Sequence, residues 1–176
     1  MWNIDPSSAM YGKSKVIEIP TVFGVAWSAD GKMFASAHRD GRVCVWDSKT
    51  YKLMYTLEKH QSKVNSVAFT GKGDLLATAG DDKFIFIWDL QEGKLLNILK
   101  GHSGEVYDLA WTSNDRILAS CLSDGTVKLW DVDSGRMTRT LESHTNAVSS
   151  ISFSVDGRLM ASKSSDKTIR IGDCMR

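Results

Sequence analysis

The 176-residue sequence has little proline, little cysteine and no excess of charge of either sign. Two prolines and 14 glycines exclude collagen-like and low-complexity classes. Twenty-two Lys and Arg residues against 21 Asp and Glu leave a net charge of +1, which argues against electrostatic attraction to nucleic acid or anionic lipid. Cys44, Cys121 and Cys174 show no Cys-x-x-Cys spacing, and two of them lie in apolar runs, as buried thiols in a reducing compartment do.

Long apolar runs are missing as well. No stretch approaches the roughly 18 residues of a membrane-spanning helix, and residues 1–16 lack the charged and apolar regions of a signal peptide. We therefore predict a cytoplasmic protein without a membrane partner. The sequence does have core material, because 42% of its residues are hydrophobic and 24% are charged, which suits one globular domain.

The sequence repeats itself with a period of 42 residues. Self-similarity at a fixed period indicates a repeat architecture. We divide the chain into an N-terminal segment, 1–19, and four units with a short tail, 20–176, the units being 20–57, 58–99, 100–141 and 142–173. The positions that keep this step include His60, His102 and His144, then Asp40, Asp82, Asp124 and Asp166, and also Trp46, Trp88 and Trp130.

Each unit is predicted to contain four short antiparallel strands. Runs of four to six β-branched and aromatic residues lie between turn residues, and no segment has a sustained helical period. In the second unit these runs are Val64–Phe69, Leu75–Ala79, Ile85–Trp88 and Leu95–Leu99. The last unit stops before its fourth strand, whereas Ser14–Ile19 precedes the first unit and can complete another one. The expected fold class is therefore all-β.

The repeated residues resemble the WD-repeat family of β-propellers, whose Gly-His and Trp-Asp pairs are matched by Gly101-His102 and Trp88-Asp89. The resemblance implies a hydrogen-bonded tetrad of His, Ser or Thr, Asp and Trp inside each sheet, or blade. Two tetrads carry over completely, onto His60, Thr78, Asp82 and Trp88 and onto His102, Ser120, Asp124 and Trp130. Two are incomplete: Ser36, Asp40 and Trp46 lack a His, and His144, Ser162 and Asp166 lack the Trp, which is replaced by Gly172.

Four units make the closure of the ring the central question. The family usually closes about seven or eight blades, and the resemblance here implies four blades of four antiparallel strands, the last incomplete. Three arrangements stay open: a closed four-blade ring, an open arc from a longer polypeptide, and two arcs that join into an eight-blade ring by exchanging Ser14–Ile19. An open arc exposes apolar surface, because repeats need neighbours to bury their faces.

A Ser, His and Asp set also suggests nucleophilic catalysis, in which a base activates a hydroxyl. Its recurrence in every unit indicates a structural module instead, so we expect no enzyme. The 42-residue spacing places each repeated His in a different blade without a paired ligand, and we therefore predict no metal site and no cofactor.

Resemblance to WD-repeat propellers implies a rigid scaffold that presents rim loops to a protein or peptide. In the family, contact residues often flank the first Val of the first strand and precede the turn Asp. The best anchors are Phe23, Arg39 and Tyr107, since aromatics and Arg predominate in binding hot spots. Transferred to this sequence, the partner-binding candidates are Phe23, Arg39, Lys63, Asn65, Asp81, Glu105, Tyr107 and Ser123.

Competing interpretations exist for these rim residues. Lys63 and Asp81 carry opposite charges in one unit and can simply pair. A basic nucleic-acid surface is suggested by Arg39 and Lys63 together with Lys163, Lys167 and Arg170 near the C-terminus, but the balanced charge counts against it. An alternative function is that of a regulatory or sensor arm split from a larger enzyme or effector polypeptide. A catalytic domain encoded in the reading frame beyond Arg176 would support this alternative.

Overall fold

A computed structural model describes residues 16–142 and 144–173. These described residues form 15 strands and no helix. In chain order the strands are β1 (Val22–Trp27), β2 (Met33–His38), β3 (Arg42–Asp47), β4 (Leu53–Glu58), β5 (Val64–Phe69), β6 (Leu75–Gly80), β7 (Ile85–Asp89), β8 (Lys94–Leu99), β9 (Val106–Trp111), β10 (Ile117–Leu122), β11 (Thr126–Asp131), β12 (Arg136–Glu142), β13 (Val148–Phe153), β14 (Leu159–Ser164) and β15 (Ile169–Asp173).

The strands form four antiparallel sheets, here called blades 1 to 4. Blades 1 to 3 have four strands each and consist of β1–β4, β5–β8 and β9–β12, whereas blade 4 has only β13–β15. In every blade, consecutive strands pair with one another. The prediction of an all-β fold with four blades and an incomplete last blade is therefore confirmed.

The turns between the first two strands of each blade follow from local residue chemistry. Gly31 adopts φ 67° between β1 and β2, a left-handed conformation that costs glycine little. Blade 3 uses Asp115 at the corresponding turn with φ 59°, which an Asp tolerates better than most side chains. The turn residues recognised in the sequence thus make the tight connections that a repeated meander needs.

Neighbouring blades pack through a repeated apolar contact. Val43 and Val45 of β3 in blade 1 are fully buried in one cluster with Val67 of β5 in blade 2. The same arrangement joins blade 2 to blade 3 and blade 3 to blade 4. Each interface therefore buries the third strand of one blade against the first strand of the next.

The ring is not closed, so the closed four-blade arrangement is wrong for the isolated chain. Val25 of β1 is 73% exposed, whereas its equivalent Val67 is 6% exposed. At the other end, Ile169 and Ile171 of β15 are 71% and 70% exposed. Both ends of the array present apolar positions that internal blades bury, because neither end has a neighbouring blade.

The N-terminal strand expectation concerns residues at the edge of the described range. Residues 16–19 form no strand, while Ser14 and Lys15 lie outside the described residues. Completion of another blade by Ser14–Ile19 stays a prediction.

The cysteine expectation holds where the structure describes it. Cys44 and Cys121 are buried, and this burial raises the pKa of both thiols. Cys174 lies outside the described residues. No helix formed by the described residues is long and apolar enough to cross a membrane.

Candidate functional site

The tetrad of blade 2 forms a continuous chain of hydrogen bonds. His60 Nδ1 donates to the Asp82 carboxylate at 2.9 Å, and His60 Nε2 lies 2.9 Å from Thr78 Oγ1. Trp88 Nε1 donates to the same hydroxyl at 3.0 Å. Burial by itself would raise the pKa of Asp82, but hydrogen bonds from His60 and from two backbone amides outweigh it and lower that pKa. The indole, hydroxyl, imidazole and carboxylate thus satisfy one another inside the sheet.

The tetrad of blade 3 is only partly formed. His102 Nε2 lies 3.0 Å from Ser120 Oγ, which accepts the Trp130 Nε1–H at 2.9 Å. His102 Nδ1 is buried and has no hydrogen-bond partner among the described residues. The prediction of a complete tetrad in blade 3 therefore needs correction. Among the described residues, no hydrogen bond joins the His102 imidazole to Asp124.

The hydrogen bond from Ser103 to the Asp124 carboxylate accounts for this difference. Ser103 Oγ donates to Asp124 Oδ2, whose equivalent in blade 4 accepts the His144 N–H, whereas the bonds from Thr126 to Oδ1, at 3.0 and 2.7 Å, recur in blade 4. Burial, together with the positive charge of Lys128, outweighs the charge of the nearby Asp124 carboxylate and lowers the pKa of His102 to about 4. The imidazole is therefore neutral at pH 7.

Blade 1 contains an imidazole that sequence reasoning missed. His38 is 1% exposed, and its Nε2 lies 2.9 Å from Ser36 Oγ, the hydroxyl that accepts the Trp46 Nε1–H at 3.0 Å. The signal was available, since residues two apart in a strand share a face and His38 follows Ser36 by two. Asp40 instead forms an exposed ion pair with Arg42 at 2.6 Å.

Blade 4 retains three tetrad members. His144 Nδ1 donates to Asp166 at 2.8 Å, and His144 Nε2 lies 2.9 Å from Ser162 Oγ. The hydrogen bond from Thr168, supported by that from His144, outweighs the effect of burial and holds the pKa of Asp166 far below its usual range. Gly172 supplies no indole, as the sequence indicated.

The burial of the hydroxyls bears on catalysis. Thr78 and Ser120 are both 0% exposed, so neither hydroxyl can reach a substrate in this conformation. Nucleophilic catalysis requires the attacking oxygen to meet the reacting atom at near contact. The geometry of the tetrads therefore suits a structural role.

A cleft at the rim between blades 1 and 2 brings together four of the predicted partner-binding residues. Its volume is about 540 Å³. The cleft is lined by Phe23, Arg39, Asp40, Gln61, Ser62, Lys63 and Asp81. Residues that are distant in the sequence thus form one surface, because the first strands of neighbouring blades lie side by side.

Some charged residues of this rim cleft form ion pairs within the described residues, and Arg39 does not. Lys63 Nζ lies 3.4 Å from Asp81 Oδ2 and 4.9 Å from the centroid of the Phe23 ring. Asn65 Nδ2 donates to the other Asp81 oxygen at 2.7 Å. Lys63 and Asp81 therefore do pair. Arg39 is exposed and makes no ion pair within the described part of the chain.

Three further candidates, Glu105, Tyr107 and Ser123, form a second cluster in blade 3. Tyr107 donates its hydroxyl to Glu105 Oε2 at 2.9 Å, and this hydrogen bond, with some burial, raises the pKa of Tyr107. Ser123 Oγ accepts the Glu105 amide at 3.1 Å. Asn65 links the two clusters, since it also donates to the Val106 carbonyl at 2.9 Å. The eight candidates thus divide between a rim cleft and a self-paired cluster.

Asp108 is a polar residue of the inner strands that sequence reasoning passed over. Its carboxylate accepts hydrogen bonds from Ser66 Oγ and Ser150 Oγ, both at 3.0 Å, and from the Ile151 amide at 3.1 Å. These donors lie in blades 2 and 4, whereas Asp108 belongs to blade 3. The sequence did contain a signal for this contact, because Asp108 is a carboxylate at a repeat position where the other blades have small residues.

Among the described residues, no three His, Cys, Asp or Glu side chains lie close enough together to share a metal ion.

Repeated four-stranded meanders stacked through equivalent faces define a β-propeller type of repeat protein. The family described as WD domain, G-beta repeat matches the chain four times. The matched ranges are 15–47, 51–89, 93–131 and 135–173. The chain therefore belongs to the WD-repeat family, whose repeats generally mediate protein interactions.

Curated relatives match over short stretches. One stretch of 46 residues is 44% identical to WD repeat-containing protein VIP3 of Arabidopsis thaliana and covers 26% of this chain and 14% of that protein. Another of 42 residues is 38% identical to the U5 small nuclear ribonucleoprotein 40 kDa protein of Pongo abelii, covering 24% of this chain and 12% of that protein. The matches thus span a small fraction of either relative.

Proposed function

We propose that this chain is a non-catalytic interaction scaffold whose rim cleft binds an extended peptide carrying an acidic side chain. The observation that carries the proposal is the position of Arg39 in a cleft of about 540 Å³ beside the half-exposed ring of Phe23. Family membership supports the broader role in protein interactions.

The charge balance of the cleft selects the partner chemistry. Lys63 is already engaged by Asp81 at 3.4 Å, and Asp40 by Arg42 at 2.6 Å. Arg39 therefore offers the guanidinium that can bind an incoming carboxylate with two parallel hydrogen bonds. Phe23, which is 46% exposed, adds an apolar surface for a neighbouring side chain of the same peptide.

A displayed random-peptide library, panned against the whole chain, tests this proposal. We expect the selected peptides to be rich in Asp and Glu and to bind more weakly to Arg39→Ala and Phe23→Ala. Loss of a central anchor usually costs about 1–2 kcal/mol or more, which corresponds to roughly 5- to 30-fold in affinity. Fluorescence anisotropy with labelled peptides measures the change.

The matched control is Arg158→Ala, which removes another exposed arginine, on blade 4 and away from the cleft. Peptide affinity should be the same for this variant as for the unmodified chain. Peptides without acidic residues, or binding that survives loss of both Arg39 and Phe23, would contradict the proposal.

A second copy of the chain is the second partner that we propose. Val25 at one end and Ile169 and Ile171 at the other are 70% exposed or more. The three internal interfaces bury the equivalents of these residues against one another. One end of the array therefore complements the other, and head-to-tail contact would bury both faces as an internal interface does.

Complementation between variants tests this self-association. Val25→Asp damages one face and Ile169→Asp the other, so each variant alone should be monomeric by light scattering. Because each retains the face that the other lacks, their mixture should form a one-to-one dimer. A monomeric unmodified chain at all concentrations, or either variant still dimeric alone, would refute head-to-tail association. If exchange of Ser14–Ile19 contributes, deletion of residues 1–19 also abolishes the dimer.

Cytoplasmic location remains a proposal that imaging of a tagged chain tests. The alternative of a regulatory arm split from an effector remains a prediction, tested by sequencing beyond Arg176.

A further inference from the structure

Trp111 shows how one blade receives a tryptophan from the next blade. It ends β9 in blade 3 and packs against the apolar cluster that blade 2 contributes to, which includes Leu75 and Ala77. Its Nε1 donates a hydrogen bond at 3.0 Å to the main-chain carbonyl of Ala68, in β5 of blade 2. The indole is thus held between two blades by apolar contacts and by one hydrogen bond to the backbone.

Trp27 lies two periods before Trp111, at the same position of β1. No blade precedes blade 1 in the described part of the chain, and Trp27 is 48% exposed. The ring of Phe34 supports it from within its own blade, with the two ring centroids 5.3 Å apart. Val25 shares this face, because residues two apart in a strand point to the same side. Trp27 therefore presents its indole on the open face of blade 1.

The open face of blade 4 repeats the face of blade 2 that receives Trp111. Adding two periods to residues of that face gives identical residues at four positions: Leu75 and Leu159, Ala77 and Ala161, Ile85 and Ile169, and Ile87 and Ile171. Blades 1 and 3 have different residues at three of these four positions. Blade 4 differs from blade 2 at Ser152 and at Lys163, and an exposed lysine can keep its ammonium group in water while its stem covers apolar surface.

These matching residues are covered in blade 2 and open in blade 4. Ile85 and Ile87 are fully buried by blade 3, whereas Leu159, Ile169 and Ile171 are exposed. Blade 4 thus has the apolar surface that accepts a tryptophan-bearing blade, and blade 1 has the matching tryptophan.

The hydrogen-bond acceptor is also retained in blade 4. Ala68 pairs with Ala77 across the ladder of β5 and β6, and Ser152 pairs with Ala161 across the ladder of β13 and β14. This equal register gives the Ser152 carbonyl the same direction as that of Ala68, since carbonyl direction follows the pairing pattern of an antiparallel ladder. A main-chain acceptor does not depend on the side chain, so serine in place of alanine leaves it unchanged.

We propose that blade 4 binds the indole of Trp27 from a second copy of the chain. The site, here called the Trp27 site, consists of Ser152, Leu159 and Ala161. The inference rests on the self-association proposed above and identifies the side chain that anchors it. The indole packs on Leu159 and donates its N–H to the Ser152 carbonyl, as Trp111 does towards blade 2. Tryptophan suits this role because it buries a large area and carries one donor.

Placing Trp27→Phe in either partner of a one-to-one dimer tests the proposal. The dimer is the one formed by the Val25→Asp and Ile169→Asp chains. In the Ile169→Asp chain Trp27 lies in the interface, and its loss of one hydrogen bond should raise the dissociation constant about three- to tenfold. In the Val25→Asp chain Trp27 belongs to the damaged face, so the same substitution should change nothing. Sedimentation equilibrium measures both constants.

Phenylalanine is a suitable replacement, because Phe69 and Phe153 occupy the equivalent positions of blades 2 and 4. Circular dichroism checks that each variant keeps its fold.

Leu159→Ala should give the opposite pattern. It should weaken the dimer when placed in the Val25→Asp chain, whose blade 4 forms the interface, and have no effect in the Ile169→Asp chain. Leu96→Ala, which removes an exposed side chain of blade 2, is the control and should change nothing in either chain.

The outcomes separate the two proposals. Equal effects of Trp27→Phe in both chains, or no effect in either, would overturn the Trp27 site while the self-association stands. Absence of any dimer would overturn both. Arg39→Ala should leave the dissociation constant unchanged, so the rim-cleft proposal is tested independently.

Solvent exchange of the indole N–H groups, followed by heteronuclear NMR, reports on the hydrogen bond itself. The signals of Trp27 and Trp111 are assigned by their loss in Trp27→Phe and Trp111→Phe. In the labelled Ile169→Asp chain, the Trp27 N–H should exchange quickly alone and slowly after the unlabelled Val25→Asp chain is added. The Trp111 N–H should exchange slowly in both states. Fast exchange of Trp27 within the dimer would refute the bond to Ser152.

Discussion

Blades 2 and 4 contain the same set of imidazole, hydroxyl and carboxylate but differ in the burial of their third strands. The distances from His to Asp are 2.9 and 2.8 Å, and those from His to the hydroxyl are both 2.9 Å. Ile85 and Ile87 of blade 2 are 0% exposed, whereas the equivalent Ile169 and Ile171 are 71% and 70% exposed.

This comparison separates two contributions to stability: the contacts that form within one blade and the burial that requires a neighbouring blade. The polar set forms in blade 4 without Trp or a fourth strand, because its members all lie on β13–β15 and their flanking turns. Burial of the third strand instead requires the next blade. Stability in a repeat array is approximately the sum of such intrinsic and interface terms, so the two blades should respond differently to matched substitutions.

The largest expected effect is the loss of the indole in blade 2. Trp88→Ala removes a side chain that is 6% exposed and hydrogen-bonded to Thr78, and we expect a loss of about 3–5 kcal/mol. Urea unfolding followed by circular dichroism measures it. Trp27→Ala, at a position 48% exposed, is the control and should lose much less. Equal losses would show that Trp88 does not hold blade 2 together.

The next effect concerns pH and blade 3. His102 has a folded-state pKa of about 4 from burial, below its unfolded value. The unfolded chain therefore binds more protons below about pH 6.5, and stability is full above that pH and declines towards pH 4. The expected loss is on the order of 3 kcal/mol.

Unfolding free energies at several pH values from 7 to 4 test this effect in the unmodified chain and in His102→Gln. The variant has no titrating imidazole in blade 3, so its stability should depend less on pH across this window. Parallel pH profiles for the two proteins would contradict the role assigned to His102.

A smaller and equal effect is expected for the carboxylates of blades 2 and 4. Asp82→Ala and Asp166→Ala each remove the acceptor of a buried imidazole N–H, at a cost of about 1–3 kcal/mol. Amide hydrogen exchange in β6 and β14 measures each blade separately. A loss in blade 2 alone would show that the polar set of blade 4 depends on contacts outside it.

The smallest effect is expected at the exposed third strand. Ile171→Thr should change the stability of the monomer by less than about 0.5 kcal/mol, because the side chain is already 70% exposed. Ile87→Thr, at the equivalent buried position, is the matched comparison and should lose considerably more. Similar losses would mean that Ile171 is covered in solution.

Much of the fold was predictable because its signals are local. In the second unit, β5 begins and ends where the sequence predicted, since the turn residues that bound it act over a few positions. The observed β7 and β8 each extend one residue beyond their predicted bounds at one end. Among the described residues blade 4 has three strands, as the sequence predicted.

The candidate site was less predictable. His38 supplies the imidazole of blade 1 from within β2 rather than from the loop before β1, where the repeat pattern directs attention. Asp124 has the expected identity and position, yet Ser103 donates to the oxygen whose equivalent in blade 4 accepts the imidazole N–H. Such competition among neighbouring donors depends on side-chain geometry, which residue spacing does not contain.

The sequence by itself determined the period, the family, the strands of each blade and the residue types of the polar sets, because all of these depend on short-range patterns. Only the tertiary structure decided that the ring is open and that Arg39 lies beside Phe23 without an ion pair. These features arise where separate blades meet, and packing between blades depends on which neighbour is present.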